Sequence, residues 1–167
     1  MRTAEGVTPS RGGTVHQQDD AVQTIEGQVA MLLRLSERTR RSSTRQQGEL
    51  ERSAYLVLGV LAADGPASVN GIAEALRLDP STVTRQVLAM EQSGLVTRST
   101  DPTDGRVTIV QPTDAGRAAL ARTREVRADL YGQILDGWTG ADRADLARLL
   151  TRLNADVDTW ARANLTR

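Results

Sequence analysis

Short hydroxyl side chains beside a single arginine form the stretch of this sequence best suited to binding a partner. In a helix, each residue turns by about 100°, and these side chains would then lie on or beside the helix face opposite an apolar stripe. That face offers hydrogen-bonding groups with little bulk, so its backbone could approach a DNA major groove closely. An ordinary solvated helix face is the alternative, although such faces usually carry long, mixed charges. The side chains are Ser81, Thr82, Thr84, Arg85 and Gln86.

The helix that positions this face is predicted over residues 80–93. Asp79 can accept hydrogen bonds from free backbone N–H groups at the helix start, and Pro80 suits the first helical position. Gly94 supplies the left-handed residue that ends many helices. Apolar residues at four- and three-residue steps form the buried stripe, namely Val83, Val87 and Met90.

A β-hairpin is predicted directly after this helix. Residues 95–99 and 106–110 alternate as strands, and the Asp/Gly-rich residues 101–105 are typical of a turn. A hairpin that follows a groove-sized helix would form a wing.

Arginines in this hairpin are candidates for contact with DNA. Arg98 and Arg106 could enter a minor groove or meet phosphate. Asp104, two residues before Arg106, could hold that guanidinium in a bidentate pair. A purely structural salt bridge is the alternative. Asp101 and Asp104 are interpreted as turn residues rather than as a catalytic carboxylate pair.

Two further helices are predicted before the helix over residues 80–93, which is the recognition helix, and the second of the two braces it. One is predicted over residues 50–63, with Leu56, Val57, Val60 and Leu61 apolar, and Asp64-Gly65-Pro66 ends it. The next is predicted over residues 69–76, with Ser68 or Asn70 as its cap. Helix, tight turn and polar-faced helix is the helix-turn-helix arrangement.

Long amphipathic helices flank this region. Their predicted bounds are Ala21 to Leu35 or beyond, Thr113 as N-cap to about Asp136, and residues 141–165 after the break at 137–140. No intramolecular core is large enough to cover their apolar stripes, so we expect a homodimer that buries them. The predicted dimerisation residues are Ile25, Val29, Leu32, Leu146, Leu149, Leu153 and Trp160.

Composition excludes several classes of function. The sequence has no Cys and one His, so we expect no disulfide, no cofactor, no metal site and no Cys–His or Ser–His catalysis. The protein is therefore not predicted to be an enzyme. A formal net charge of zero is evidence against general coating of nucleic acid, although local arginines still permit specific binding. No apolar run spans a membrane and no signal peptide is seen, which predicts a cytoplasmic protein.

The predicted fold is mainly α, an α+β winged helix in the 47–112 region. Residues 1–20 are a flexible tail, residues 21–46 and 137–167 are dimerisation helices, and residues 113–136 form a long linking helix. The densest basic stretch, residues 34–45, is either a solvated helix end or a contact for phosphate or an acidic ligand. Its spacing does not decide between these interpretations.

Motifs over residues 53–120 resemble the winged helix-turn-helix core of the MarR family of transcriptional regulators. They are Leu78-Asp-Pro-Ser-Thr-Val-Thr-Arg85, Gly94-Leu-Val96, Asp101-Pro-Thr-Asp-Gly-Arg106 and Thr113-Asp-Ala-Gly116, in the family's order and spacing. The flanking helices agree only in general layout. The lack of Cys excludes the thiol-oxidation sensing found in one branch of that family.

This resemblance implies a homodimeric repressor that small, often aromatic, acids release from DNA. Such effectors bind between the dimerisation helices and the winged domain, so Arg34 and Tyr55 are only nearby candidates. Together with the residues, it predicts a regulator that binds a pseudo-palindromic, double-stranded operator. The alternative is a winged-helix module that binds proteins and has no operator specificity.

Overall fold

The computed structural model describes residues 13–43 and 50–164, with side chains described over 20–37 and 50–164. The chain divides into two units, one ending at Glu49 and the other beginning at Leu50. The helices are α1 (Gly13–Ser43), α2 (Arg52–Asp64), α3 (Val69–Leu76), α4 (Pro80–Gln92), α5 (Asp114–Ile134) and α6 (Gly140–Asn164). The strands are β1 (Ala67–Ser68), β2 (Val96–Thr100) and β3 (Thr108–Pro112).

The first unit consists of α1, which begins earlier than predicted. Residues 13–20 are helical, so the predicted tail is wrong over that part. Extending a formed helix through polar residues costs little compared with starting one, which explains the extra turns. The rest of the predicted tail, residues 1–12, lies outside the described residues. Apolar side chains on α1 are exposed, including Ile25, Val29 and Leu32.

The core of the second unit lies between α2, α3, α4, the sheet and the start of α5. Its most deeply buried side chains are Val57, Leu58, Ile72, Val83, Val87, Val96, Val110 and Thr123. The apolar residues named for α2 do not all face the core, because Leu56 is 40% exposed whereas Leu58 is 1% exposed. Residues 56–58 are all apolar, so their periodicity could not select between the two faces.

A three-stranded antiparallel sheet forms the base of the wing, in the order β1-β3-β2. In the hairpin, Arg98 pairs with Val110 and Thr100 pairs with Thr108. The predicted hairpin is confirmed, although both strands begin later than predicted. The sequence does not predict β1, in which Ala67 pairs with Val110. A strand this short has no period to detect, and Pro66 before it is typical of a helix stop.

Caps at the helix starts agree with prediction at two positions of three. The Ser68 hydroxyl accepts from the Gly71 N–H, and the Thr113 hydroxyl accepts from the Gly116 N–H, each at 3.0 Å. Asp79 is the N-cap of α4, but its side chain makes no capping hydrogen bond. Its backbone carbonyl instead accepts from the Thr82 N–H at 2.9 Å.

The long helices α5 and α6 differ in how much of each is buried within the second unit. The first turns of α5 pack into the core, where Gly116 lies against the backbone of Leu95. No residue of α6 is buried within the described chain. Among its predicted dimerisation residues, Leu149, Leu153 and Trp160 are exposed and Leu146 is half-buried.

Candidate nucleic-acid interface

The recognition helix α4 is fixed by its buried stripe. Val83, Val87 and Met90 are all almost completely buried, as predicted. Gly94 has φ of 70°, in the left-handed region where glycine is favoured, and so ends the helix as predicted. Because one face is held in the core, the opposite face is turned outward.

The outward face presents the predicted hydroxyls and one arginine. Ser81, Thr84 and Arg85 are exposed, whereas Thr82 and Gln86 are half-buried. The Thr84 hydroxyl donates to the Pro80 carbonyl oxygen at 2.8 Å, which leaves its oxygen free to accept from a partner. The Arg85 side chain makes no hydrogen bond or ion pair with the part of the chain that the structure describes.

Gln86 is oriented differently from the other predicted contact residues. Its Oε1 atom is buried and has no hydrogen-bond partner among the described residues. Because a carbonyl oxygen in this position cannot reach a groove, Gln86 offers less to a partner than its place on the helix suggested. Periodicity gives the direction of the Cβ atom but not the rotamer beyond it.

The wing turn is organised by Asp101. Its Oδ1 atom accepts from the Thr103 N–H at 2.7 Å, from the Thr103 hydroxyl at 2.6 Å and from the Asp104 N–H at 3.2 Å. The side-chain hydrogen bond from Thr103, followed by the two backbone donors, lowers the pKa of Asp101 below its ordinary value. This confirms that Asp101 serves the turn.

The predicted pair between Asp104 and the Arg106 guanidinium is absent from the described residues. Asp104 Oδ1 instead accepts from the Arg106 backbone N–H at 3.0 Å. Arg106 lies in the turn before β3 rather than on an extended strand, so the two side chains do not share a strand face. The Arg106 guanidinium is exposed and makes no hydrogen bond or ion pair within the described ranges.

Arg98 has a partner on the recognition helix. Its Nη2 and Nε atoms each lie 2.7 Å from Glu91 Oε2. This ion pair connects β2 to the last turns of α4 and so braces the wing against the recognition helix. Arg98 is therefore less available for phosphate than Arg106, a difference that the sequence analysis did not detect.

A cleft of about 310 Å³ brings the helix-turn-helix and the wing together. Its lining includes the starts of α3 and α4, together with Arg98 and Arg106. Thr84 also lines it, so the polar face of α4 and the wing arginines border the same opening. Backbone N–H groups at helix starts and guanidinium groups favour anions, and the phosphates of a DNA backbone are anions.

The described residues offer neither a metal site nor a membrane-spanning helix. Over 13–43 and 50–164, no group of His, Cys, Asp and Glu side chains could hold a metal ion. None of the described helices is long and apolar enough to cross a membrane.

Comparison with known proteins gives one consistent family. The MarR family matches residues 50–108. The chain is 36% identical over 138 residues to YxaD, an uncharacterised helix-turn-helix transcriptional regulator of Bacillus subtilis, covering 83% of this chain and 96% of that protein. It is 32% identical over 111 residues to the transcriptional repressor IacR of Pseudomonas putida, covering 66% of each chain.

A solved structure shows the same fold. BpsR of Bordetella bronchiseptica, described with the regulation of its DNA binding by 6-hydroxynicotinic acid, matches with a TM-score of 0.59 and 25% sequence identity. The match covers 76% of this chain and 98% of BpsR.

Proposed function

Because this chain belongs to the MarR family of transcriptional regulators, we propose that it is a homodimeric repressor that binds a pseudo-palindromic operator and responds to a small effector. One observation carries the proposal. On α4, Ser81, Thr84 and Arg85 are exposed, and Thr84 lines the cleft that the wing arginines also line. Arg85 and Arg106 have no described protein partner, so both are available for DNA. The names of the relatives favour regulation over the protein-binding alternative.

Arg85 is the residue to which we assign base recognition. An arginine near the middle of a recognition helix can donate two hydrogen bonds to guanine O6 and N7 in the major groove. Short hydroxyls at Ser81 and Thr82 let the helix backbone approach closely, and they can donate to phosphate or base edges. Arg106 on the wing is assigned to the minor groove or the adjacent phosphates.

The homodimer is supported by apolar surface that the described chain leaves exposed. On α6, Leu149 and Trp160 are 51% and 60% exposed. Helix α1 also carries exposed apolar side chains, including Ile25, Val29 and Leu32. A second copy is the occupant that fits, because an isologous contact covers the same stripe on both chains. Two-fold symmetry then presents the two recognition helices to neighbouring turns of one duplex, which predicts the palindrome.

A small aromatic acid is the proposed effector. The support is that 6-hydroxynicotinic acid regulates the DNA binding of BpsR. A cytoplasmic location follows from the proposed target, since the operator is there. The repressor assignment is supported by the similarity to IacR, a transcriptional repressor.

The test is binding to the DNA upstream of the protein's own gene, followed by selection from random duplexes. Arg85→Ala should weaken operator binding by about 1–3 kcal/mol per half-site and relax the preference at one base pair of each half-site. Arg122→Ala, an exposed arginine on α5, is the matched control and should change neither. An unaltered base preference in the Arg85 variant would reject the assignment, and wild-type protein that selects no sequence would reject the proposed function.

A further inference from the structure

Arg77 has an unusual backbone conformation at the end of α3. Within the described residues, it is the one non-glycine residue with positive φ, at 55°. Its N–H donates to the Glu74 carbonyl oxygen at 3.3 Å, and the Leu78 N–H donates to the Ala73 carbonyl oxygen at 3.0 Å. This pattern is a Schellman motif, in which the left-handed position is usually occupied by glycine. Arginine is less favoured than glycine in this left-handed conformation, which points to a role for its side chain.

The side chain of Arg77 reaches a helix far away in the sequence. Its Nε atom lies 2.6 Å from Asp158 Oδ1 and its Nη2 atom lies 3.3 Å from Asp158 Oδ2, in a bidentate pair across 81 residues. One turn along α6, Arg162 Nη2 lies 2.8 Å from the same Oδ2 atom. Hydrogen bonds from Arg77 and then Arg162 lower the pKa of Asp158 to about 2, so its carboxylate stays ionised well into the acidic range.

This contact joins the end of α3 to α6, a helix that has no buried residue. Because α6 has no buried residue, side chains in the core do not fix its orientation to the winged domain. A bidentate pair of arginine and carboxylate defines both a distance and an angle. Arg77 lies in the turn immediately before α4, so whatever holds Arg77 also orients the recognition helix.

We propose that Arg77 is a positioning residue for operator binding: without touching DNA, it fixes the helix-turn-helix to α6 and so sets the separation of the two recognition helices. The inference rests on the proposed homodimeric operator binding and adds how the half-site spacing is selected. If α6 forms the dimer contact, an angle fixed at Asp158 is carried across the two-fold axis.

The first test compares Arg77→Gly and Asp158→Asn on operators whose central spacer is varied. An exposed ion pair changes an equilibrium by up to about fivefold, so two pairs per dimer change affinity by up to about 25-fold. Both variants should lose affinity for the preferred spacer and should bind neighbouring spacers more evenly. Asp156→Asn, which removes the exposed pair with Arg152 on the same helix, is the matched control and should behave as wild type.

Two further readouts distinguish positioning from simple stabilisation. Glycine relieves the left-handed strain, so Arg77→Gly should unfold at an unchanged or higher temperature while its spacer preference broadens. The double variant should lose no more affinity than either single variant, because both remove one contact. A spacer profile identical to wild type, or fully additive losses, would overturn the proposal.

A measurement without DNA keeps this inference separate from the proposed function. The protein has no native Cys, so Ala89→Cys on α4 and Arg148→Cys on α6 give two label sites. Chains that carry both spin labels are diluted into excess unlabelled protein, so that the measured distance lies within one chain. Pulsed electron paramagnetic resonance should then show a narrow distribution of α4–α6 distances. The Arg77→Gly substitution should broaden it. An unchanged distance distribution would refute the positioning role, even if the protein bound its operator normally. A broadened distribution would support the role, even if no operator were found.

Discussion

Gly116 gives the sharpest test of how α5 is attached to the winged domain. A Cβ atom added there would lie 2.0 Å from the Leu95 carbonyl oxygen and 3.3 Å from Leu58 Cδ2. Ordinary contact begins at 3.4 Å. The close neighbour is a backbone atom, the Leu95 carbonyl oxygen, which accepts from the Thr113 N–H at 3.1 Å. Moving this oxygen away would weaken that hydrogen bond. Gly116→Ala must therefore separate α5 from the start of the hairpin.

The magnitude follows from two opposing effects. Overpacking a close-packed contact costs about 1–3 kcal/mol, whereas alanine in a helix is favoured over glycine by about 0.8–1 kcal/mol. The backbone contact is too close for the second effect to prevail, so we expect a net loss of about 1–2 kcal/mol. For a chain of this size, that corresponds to a melting temperature lower by roughly 2–8 °C.

Gly132→Ala on the same helix is the matched control. A Cβ atom there meets no atom within 4 Å, so only the helix preference acts. Its melting temperature should stay the same or rise by about 2–4 °C. The assay is thermal and urea unfolding of both variants under identical conditions. If Gly116→Ala were as stable as Gly132→Ala, the close approach of α5 to Leu95 would be refuted.

Three further outcomes follow. Arg106→Ala should weaken operator binding about evenly across sequences and reduce the magnitude of the salt slope by about one per wing, or about two per dimer, measured by titration at several ionic strengths, whereas Arg148→Ala on α6 should change neither. Leu58→Ala should destabilise the fold by about 2–5 kcal/mol in urea unfolding, and Leu56→Ala by clearly less; equal losses would contradict the assigned inward face of α2. Asp101 has a lowered pKa, so its stabilising effect is complete above pH 3.8 and declines below it; stability curves of wild type and Asp101→Ala should converge as the solution is acidified.

Much of the fold could be predicted because local signals agreed with one another. The spacing of Val83, Val87 and Met90 set the face of α4, and Gly94 set its end. The turn residues before Arg106 set the hairpin. Each signal depends on backbone geometry within a few residues, which sequence spacing represents directly.

What the sequence did not predict depends on contacts between distant segments. The partner of Arg98 is Glu91, and both residues had to be placed on their elements before the pair could be seen. The strand β1 exists only because β3 offers an edge to Ala67. In α2, Leu56 and Leu58 are chemically equal, so the neighbours that surround the helix decided which one is buried.

The lack of any buried residue on α6 affects the stability of this protein at low concentration. If a second chain supplies the missing cover, folding of the C-terminal helix and assembly are one equilibrium, and the unfolding midpoint rises with protein concentration. At low protein concentration, chains would then lose the order of α6 and their binding to the operator at the same time.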